Sequence, residues 1–169
     1  MDFGGGELAS AGSSDAFLAK YNAAGDHLWS RSFGSFDWDE GISVSADTSG
    51  SVFLTAACQG TMDFGGGDLI VAGVAPGICL AKFDANGGHL WSKHFQSTGS
   101  AWGNSVSSDP RGNVFLTGSF DDTVDFGGER FVSVGNSDAY VVKHDESGHH
   151  LWSKKVRFEQ DRWRGLRFC

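Results

Sequence analysis

The feature that most restricts this chain is that it copies itself. Met1-Asp-Phe-Gly-Gly-Gly returns as Met62-Asp-Phe-Gly-Gly-Gly and again as Val124-Asp-Phe-Gly-Gly-Glu, at steps of 61 and 62 residues. Other blocks keep the same spacing. Asp15-Ala-Phe-Leu-Ala-Lys20 matches Gly77-Ile-Cys-Leu-Ala-Lys82 and Asp138-Ala-Tyr-Val-Val-Lys143, and His27-Leu-Trp-Ser30 matches His89-Leu-Trp-Ser92 and His150-Leu-Trp-Ser153. Asp47-Thr-Ser-Gly-Ser-Val-Phe-Leu-Thr55 matches Asp109-Pro-Arg-Gly-Asn-Val-Phe-Leu-Thr117. A period of this length points to one supersecondary unit copied along the chain, each copy burying the apolar face of the next.

Within a unit, four short runs have strand composition: Gly41 to Ala46, Ser51 to Cys58, Ile78 to Phe83 and His89 to Phe95. The first pair is joined by Asp47-Thr-Ser-Gly50 and the second by Asp84-Ala-Asn-Gly87. An Asp opening a turn can accept the backbone N–H two residues on, and Gly takes the positive φ that closes a hairpin, so each pair is expected to be antiparallel. Residues 59 to 77 read as a longer connection between the pairs. Four antiparallel strands per unit of this length predict an all-β fold and a partial β-propeller of about two and a half blades. Residues 1–40 would hold the second half of a blade plus linker, 41–102 a complete blade and linker, 103–155 a complete blade, and 156–169 a divergent basic tail. A ring of four to eight blades needs more chain than this.

Composition agrees with many tight turns, since Gly occurs 25 times and Pro only twice. The net charge of -8 is uneven, because residues 154 to 169 carry six basic and two acidic side chains, leaving about -12 on the body. An acidic body argues against a nucleic-acid surface. No apolar run is long enough for a transmembrane helix, and the first residues lack the basic and apolar regions of a signal peptide, so no export route is expected from the chain as written. Cys58, Cys79 and Cys169 are too few and scattered for a disulfide framework or a zinc site.

The Asp-Phe-Gly-Gly segment, the Asp-Ala-Phe-Leu-Ala-Lys strand, the Gly-x-x-Leu-Trp-Ser strand and the Asp-x-x-Gly-x-Val-Phe-Leu-Thr hairpin together resemble the bacterial SBBP β-propeller repeats. These pieces cover almost all of residues 1 to 155. The resemblance implies a parent family of large secreted or cell-surface proteins and brings no catalytic residues with it. A weaker likeness is to the blade motif of quinoprotein dehydrogenases, on Asp84-Ala-Asn-Gly-Gly-His-Leu-Trp91, where the motif is structural and no cofactor ligands accompany it here.

Candidate sites are weighed against the repeat. Trp29, Trp91 and Trp152 keep its spacing and are expected to pack between neighbouring blades. Gly50, Gly112, Phe3, Phe64 and Phe126 are further structural repeat positions, in turns and in the Asp-Phe-Gly-Gly segment. Trp38 and Trp102 fall before the first strand of a unit, are not equivalent to each other, and are the positions expected to offer exposed aromatic contacts to a ligand. His27, His89 and His150 share one repeat position without a second ligand type at metal spacing, so they read as half-exposed strand residues. Asp37, Asp39 and Glu40, Asp121, Asp122 and Asp125, and Asp145 and Glu146 invite loop calcium as the one conceivable cofactor, but EF-hand spacing is absent and turn chemistry explains most of them. The glycine-rich segment lacks the Lys and Ser/Thr of a phosphate-binding loop. Cys58 and Cys79 replace aromatic residues of sister units and read as buried thiols, with pairing across neighbouring strands left open.

No nucleophile and base stand out from the repeat, and enzymatic activity is not expected. The expected function is a non-catalytic repeat module, a fragment or divergent relative of a larger secreted or surface protein, presenting loops for protein or glycan contact. The alternative is a lectin-like chain that homo-oligomerises into a closed propeller, and a quinoprotein-like enzyme piece comes third. Open sheet faces favour self-association in either of the first two cases.

Overall fold

The structure is a computed structural model that describes residues 1–72 and 76–157. The expected tail beyond Arg157, with Trp163 and Cys169, lies outside the described residues. Every regular element among the described residues is a strand, numbered here in chain order. Strands β1 (Ala16–Tyr21) and β2 (His27–Phe33) form a two-stranded antiparallel sheet. The next set comprises β3 (Glu40–Ala46), β4 (Val52–Cys58), β5 (Gly60–Asp63), β6 (Asp68–Val71), β7 (Gly77–Phe83) and β8 (His89–Phe95). The last comprises β9 (Ala101–Ser108), β10 (Val114–Phe120), β11 (Thr123–Val124), β12 (Phe131–Val132), β13 (Asp138–His144) and β14 (His150–Val156).

Two four-stranded antiparallel sheets result, ordered β3-β4-β7-β8 and β9-β10-β13-β14. The four strand runs read from the sequence therefore lie in one sheet, within a residue of their expected bounds at each end. The turns use the anticipated chemistry. Asp47 Oδ1 accepts the N–H groups of Ser49 (2.9 Å) and Ser51 (3.0 Å), while Gly50 closes the turn at a φ of 82°. Asp109 and Gly112 (φ 77°) do the same between β9 and β10.

Residues 59 to 77, expected as a plain connection, contain a hairpin of their own. β5 pairs antiparallel with β6, from Gly60 opposite Val71 to Asp63 opposite Asp68. At its tip Asp63 Oδ1 accepts the N–H groups of Gly65 (2.7 Å) and Gly67 (3.0 Å), and Phe64 turns inward against Phe33 and Phe83, ring centroids 5.2 and 6.4 Å away. The middle glycine has a different reason to be Gly. A Cβ on Gly66 would lie 2.1 Å from Cε1 of His89, and the same imidazole-over-glycine packing occurs at Gly5 with His27 and at Gly128 with His150. The recurring His and the recurring Gly-Gly are one contact, made three times.

The core lies between successive sheets. Ala16, Leu18 and Phe33 pack with Leu54, Ala56, Phe64 and Phe83 in one cluster, and Phe53, Ile78 and Leu80 pack with Val106, Leu116 and Tyr140 in the other. The first four-stranded sheet is thus covered on both faces, and all seven residues of β4 and of β7 are buried. β10 instead alternates between buried and more exposed positions, as a sheet covered on one face does. Among the described residues, no helix is long and apolar enough to cross a membrane.

Candidate functional site

The loop that enters β3 is built around a buried carboxylate. Asp39 Oδ2 accepts the Ser35 N–H at 2.7 Å, and Oδ1 accepts the Gln59 N–H at 2.8 Å. The Asp39 N–H donates to the Ser14 carbonyl at 2.9 Å, so Trp38, bridged to Ser14, is fixed from both sides. Trp102, expected ahead of the first strand of its unit, lies within that strand, on β9, where the Tyr140 hydroxyl donates to its carbonyl at 3.0 Å. That carbonyl approaches so closely that a Cβ on Gly118 would lie 1.8 Å from it, at an irregularity in the β9–β10 register. The two indoles meet edge to face, with centroids 6.3 Å apart and planes at 71°. Both are half-buried, less open than the exposed aromatic contacts expected from the sequence, because each covers part of the other. Phe36, two residues before Trp38, is almost wholly exposed.

This aromatic surface escapes the repeat. Counting from Asp47 and Asp109, Trp38 corresponds to Ser100 and Trp102 to Glu40, so neither ring has a counterpart in the sister unit. An indole pair offers apolar faces for a sugar ring or an apolar side chain at little rotamer cost. Phe36 was not singled out from the sequence, and its place among the six residues between β2 and β3, which show no periodicity, gave no signal.

The series at repeat spacing does different work. Trp29 Nε1 donates to the Ala85 carbonyl at 3.1 Å, and Trp91 Nε1 to the Glu146 carbonyl at 3.0 Å, each reaching the outer turn of the following sheet. Trp152 packs edge-on against Phe115 at 6.1 Å and remains partly exposed. Phe126 is buried against Phe95 and Tyr140, whereas Phe3 stacks on Phe17 at 4.7 Å. Beside Phe3, Phe17 and Tyr21 a groove of about 830 Å³ runs between β1 and β3, bounded on the other side by Ile42 and Val44.

Of the acidic candidates, Asp39, Asp125 and Asp145 hold backbone N–H groups. Asp145 Oδ1 accepts the Ser147 and His149 N–H groups, Asp125 Oδ1 accepts that of Gly127, and no group of three His, Cys, Asp or Glu that could hold a metal ion occurs among the described residues. The Asn113 amide, backbone N–H groups and the Lys143 ammonium hold the Asp109 carboxyl down at about 2. Cys58 and Cys79 are both free and buried, and burial pushes the Cys58 thiol up. Burial also drives His144 down to about 4, opposed by its bond to the Phe126 carbonyl. No protein-family model matches this chain, and no curated protein matches it either.

Proposed function

We propose that the chain is a non-catalytic β-propeller repeat module of the SBBP type, about two and a half blades of a larger secreted or cell-surface architecture, whose loops contact protein or glycan. Support for the blade reading comes from two sheets of identical strand order, and from one Trp-to-turn hydrogen bond that joins the two-stranded sheet to the first of them and recurs between the two. The observation that carries the binding role is the off-repeat indole pair of Trp38 and Trp102, because residues that the repeat does not require are free to serve contact. A second reading, a lectin-like chain that closes a ring from several copies, is favoured by the partly exposed Trp152 at the outer face of β14.

A glycan array probed with the whole chain, and with Trp38→Ala and Trp102→Ala, tests the surface. Expected is binding to a defined glycan set that weakens by about tenfold or more in each variant, with urea unfolding of the rest of the chain little changed. Binding indifferent to both substitutions removes the surface from the proposal.

A further inference from the structure

The chain makes one inter-sheet contact set twice and holds the two halves of a third set apart. In the first set, Trp29 Nε1 and Lys20 Nζ both donate to the Ala85 carbonyl, at 3.1 and 3.0 Å, while Phe33 packs 5.2 Å from both Phe64 and Phe83. In the second, Trp91 Nε1 and Lys82 Nζ both donate to the Glu146 carbonyl, at 3.0 and 3.1 Å, while Phe95 packs 5.2 Å from Phe126 and 5.3 Å from His144. The corresponding residues on the last sheet are Trp152, Lys143 and Val156. Among the described residues the Trp152 indole N–H has no acceptor, and Lys143 turns back to Asp109 at 3.2 Å. Val156 is 55% exposed where its equivalent Phe95 is 4%.

The matching receivers stand at the opposite end. Ala23 occupies the turn position of Ala85 and Glu146, Phe3 that of Phe64 and Phe126, and Tyr21 that of Phe83 and His144. No side chain reaches the Ala23 carbonyl among the described residues, and Tyr21 is 44% exposed where Phe83 is fully buried. The receiving turn is nonetheless already shaped for the role. Asn22 Oδ1 accepts the N–H groups of Ala24 (2.8 Å) and Asp26 (2.9 Å), as Asp84 Oδ1 does for Asn86 and Gly88.

We propose that two copies of this chain associate head to tail, with Trp152, Lys143 and Val156 of one copy seated on the Ala23 carbonyl, Phe3 and Tyr21 of the next. The inference rests on the repeat reading above and names its partner as a second copy. The contact is heterologous, since donor and receiver are different patches, so it propagates until a ring closes. Unlike an isologous dimer interface, it leaves one donor and one receiver face free in every open assembly.

That asymmetry supplies the test. Sedimentation of the whole chain is expected to show association that grows with concentration up to about 100 µM. Val156→Asp removes the donor face and Tyr21→Asp the receiver face, with Phe3→Asp as a second receiver variant should Tyr21→Asp unfold. Each variant alone is expected to sediment as a monomer, and an equal mixture of donor and receiver variants as a two-chain complex that grows no further. A wild-type monomer throughout the range, association that survives Val156→Asp, or a mixture that stays monomeric each overturns the proposal. A monomeric wild-type chain that still binds glycans through Trp38 and Trp102 separates failure of this interface from failure of the binding reading.

Discussion

His144→Phe isolates the energetic consequence of placing an imidazole in the core. The ring is buried 5.3 Å from Phe95, its Nε2 lies 3.2 Å from the Phe126 carbonyl, and its Nδ1 has no partner. Burial, with the nearby His150 and Lys93 charges, holds its pKa at about 4, against 6.5 for a solvated histidine. The folded pKa is depressed, so as pH falls the unfolded chain takes up the proton first and stability is lost. This contribution is complete above pH 6.5 and shrinks by about 1.4 kcal/mol at pH 5.5 and about 2.5 kcal/mol at pH 4.5. Phenylalanine is the residue at the equivalent position 83, so the ring packing has a precedent in the same chain. Losing a bond worth about 1 kcal/mol while removing an unpaired buried nitrogen leaves the variant within about 1 kcal/mol of wild type at neutral pH. Urea unfolding of both proteins between about pH 7.5 and 4.5 is expected to show the variant gaining on wild type by about 2 kcal/mol at the acid end. Groups remote from His144 are common to both proteins and cancel in the difference. A difference that stays flat across this range, or grows in the other direction, refutes the assignment.

Gly66→Ala drives a Cβ to 2.1 Å from the His89 ring and is expected to cost about 1 to 3 kcal/mol, most of it absent when His89→Ala is already present, which a double-mutant cycle in urea reads directly. Trp91→Ala, losing the bond to the Glu146 carbonyl and the contact with Phe53, is expected to cost about 2 to 3 kcal/mol, whereas Trp152→Ala stays within about 1 kcal/mol in dilute solution, compared by chemical unfolding. Cys58 and Cys79 are expected to resist a thiol alkylating agent in the native protein and to be labelled in urea, scored by peptide mass spectrometry; native labelling of either contradicts their burial.

Elements whose cause is local were legible in the sequence. The Asp-x-x-Gly turns carry their hydrogen bonds within five residues, and the runs beside them have strand composition, so β3, β4, β7 and β8 could be bounded closely. The hairpin of β5 and β6 was missed because its strands are four residues each and their composition, Gly-Thr-Met-Asp and Asp-Leu-Ile-Val, does not alternate. The service of His89 to Gly66 crosses 23 residues and exists only once β8 lies over the hairpin tip, so the spacing of the histidines was visible and its reason was not. Trp38 and Trp102 were singled out as departures from the repeat, but their contact depends on how two sheets stack, which no local pattern encodes.

Comparing the copies separates exposure that belongs to the fold from exposure that belongs to position. Leu28, Leu90 and Leu151 are each about half exposed in all three copies, so an outward leucine on the outermost strand is part of the unit and needs no partner. Val44 is different, at 56% exposed against 5% for its equivalent Val106, which lies against β3 with the Ser43 hydroxyl on its N–H. Phe17 likewise stands open where Cys79 and Tyr140 are buried. These positions stay apolar although the layer that buries their copies is absent beside them. Trp152 and Val156 do likewise at the other end. Both ends of the stack therefore expose apolar side chains whose copies are more buried, and the head-to-tail contact proposed above would cover those at Trp152 and Val156.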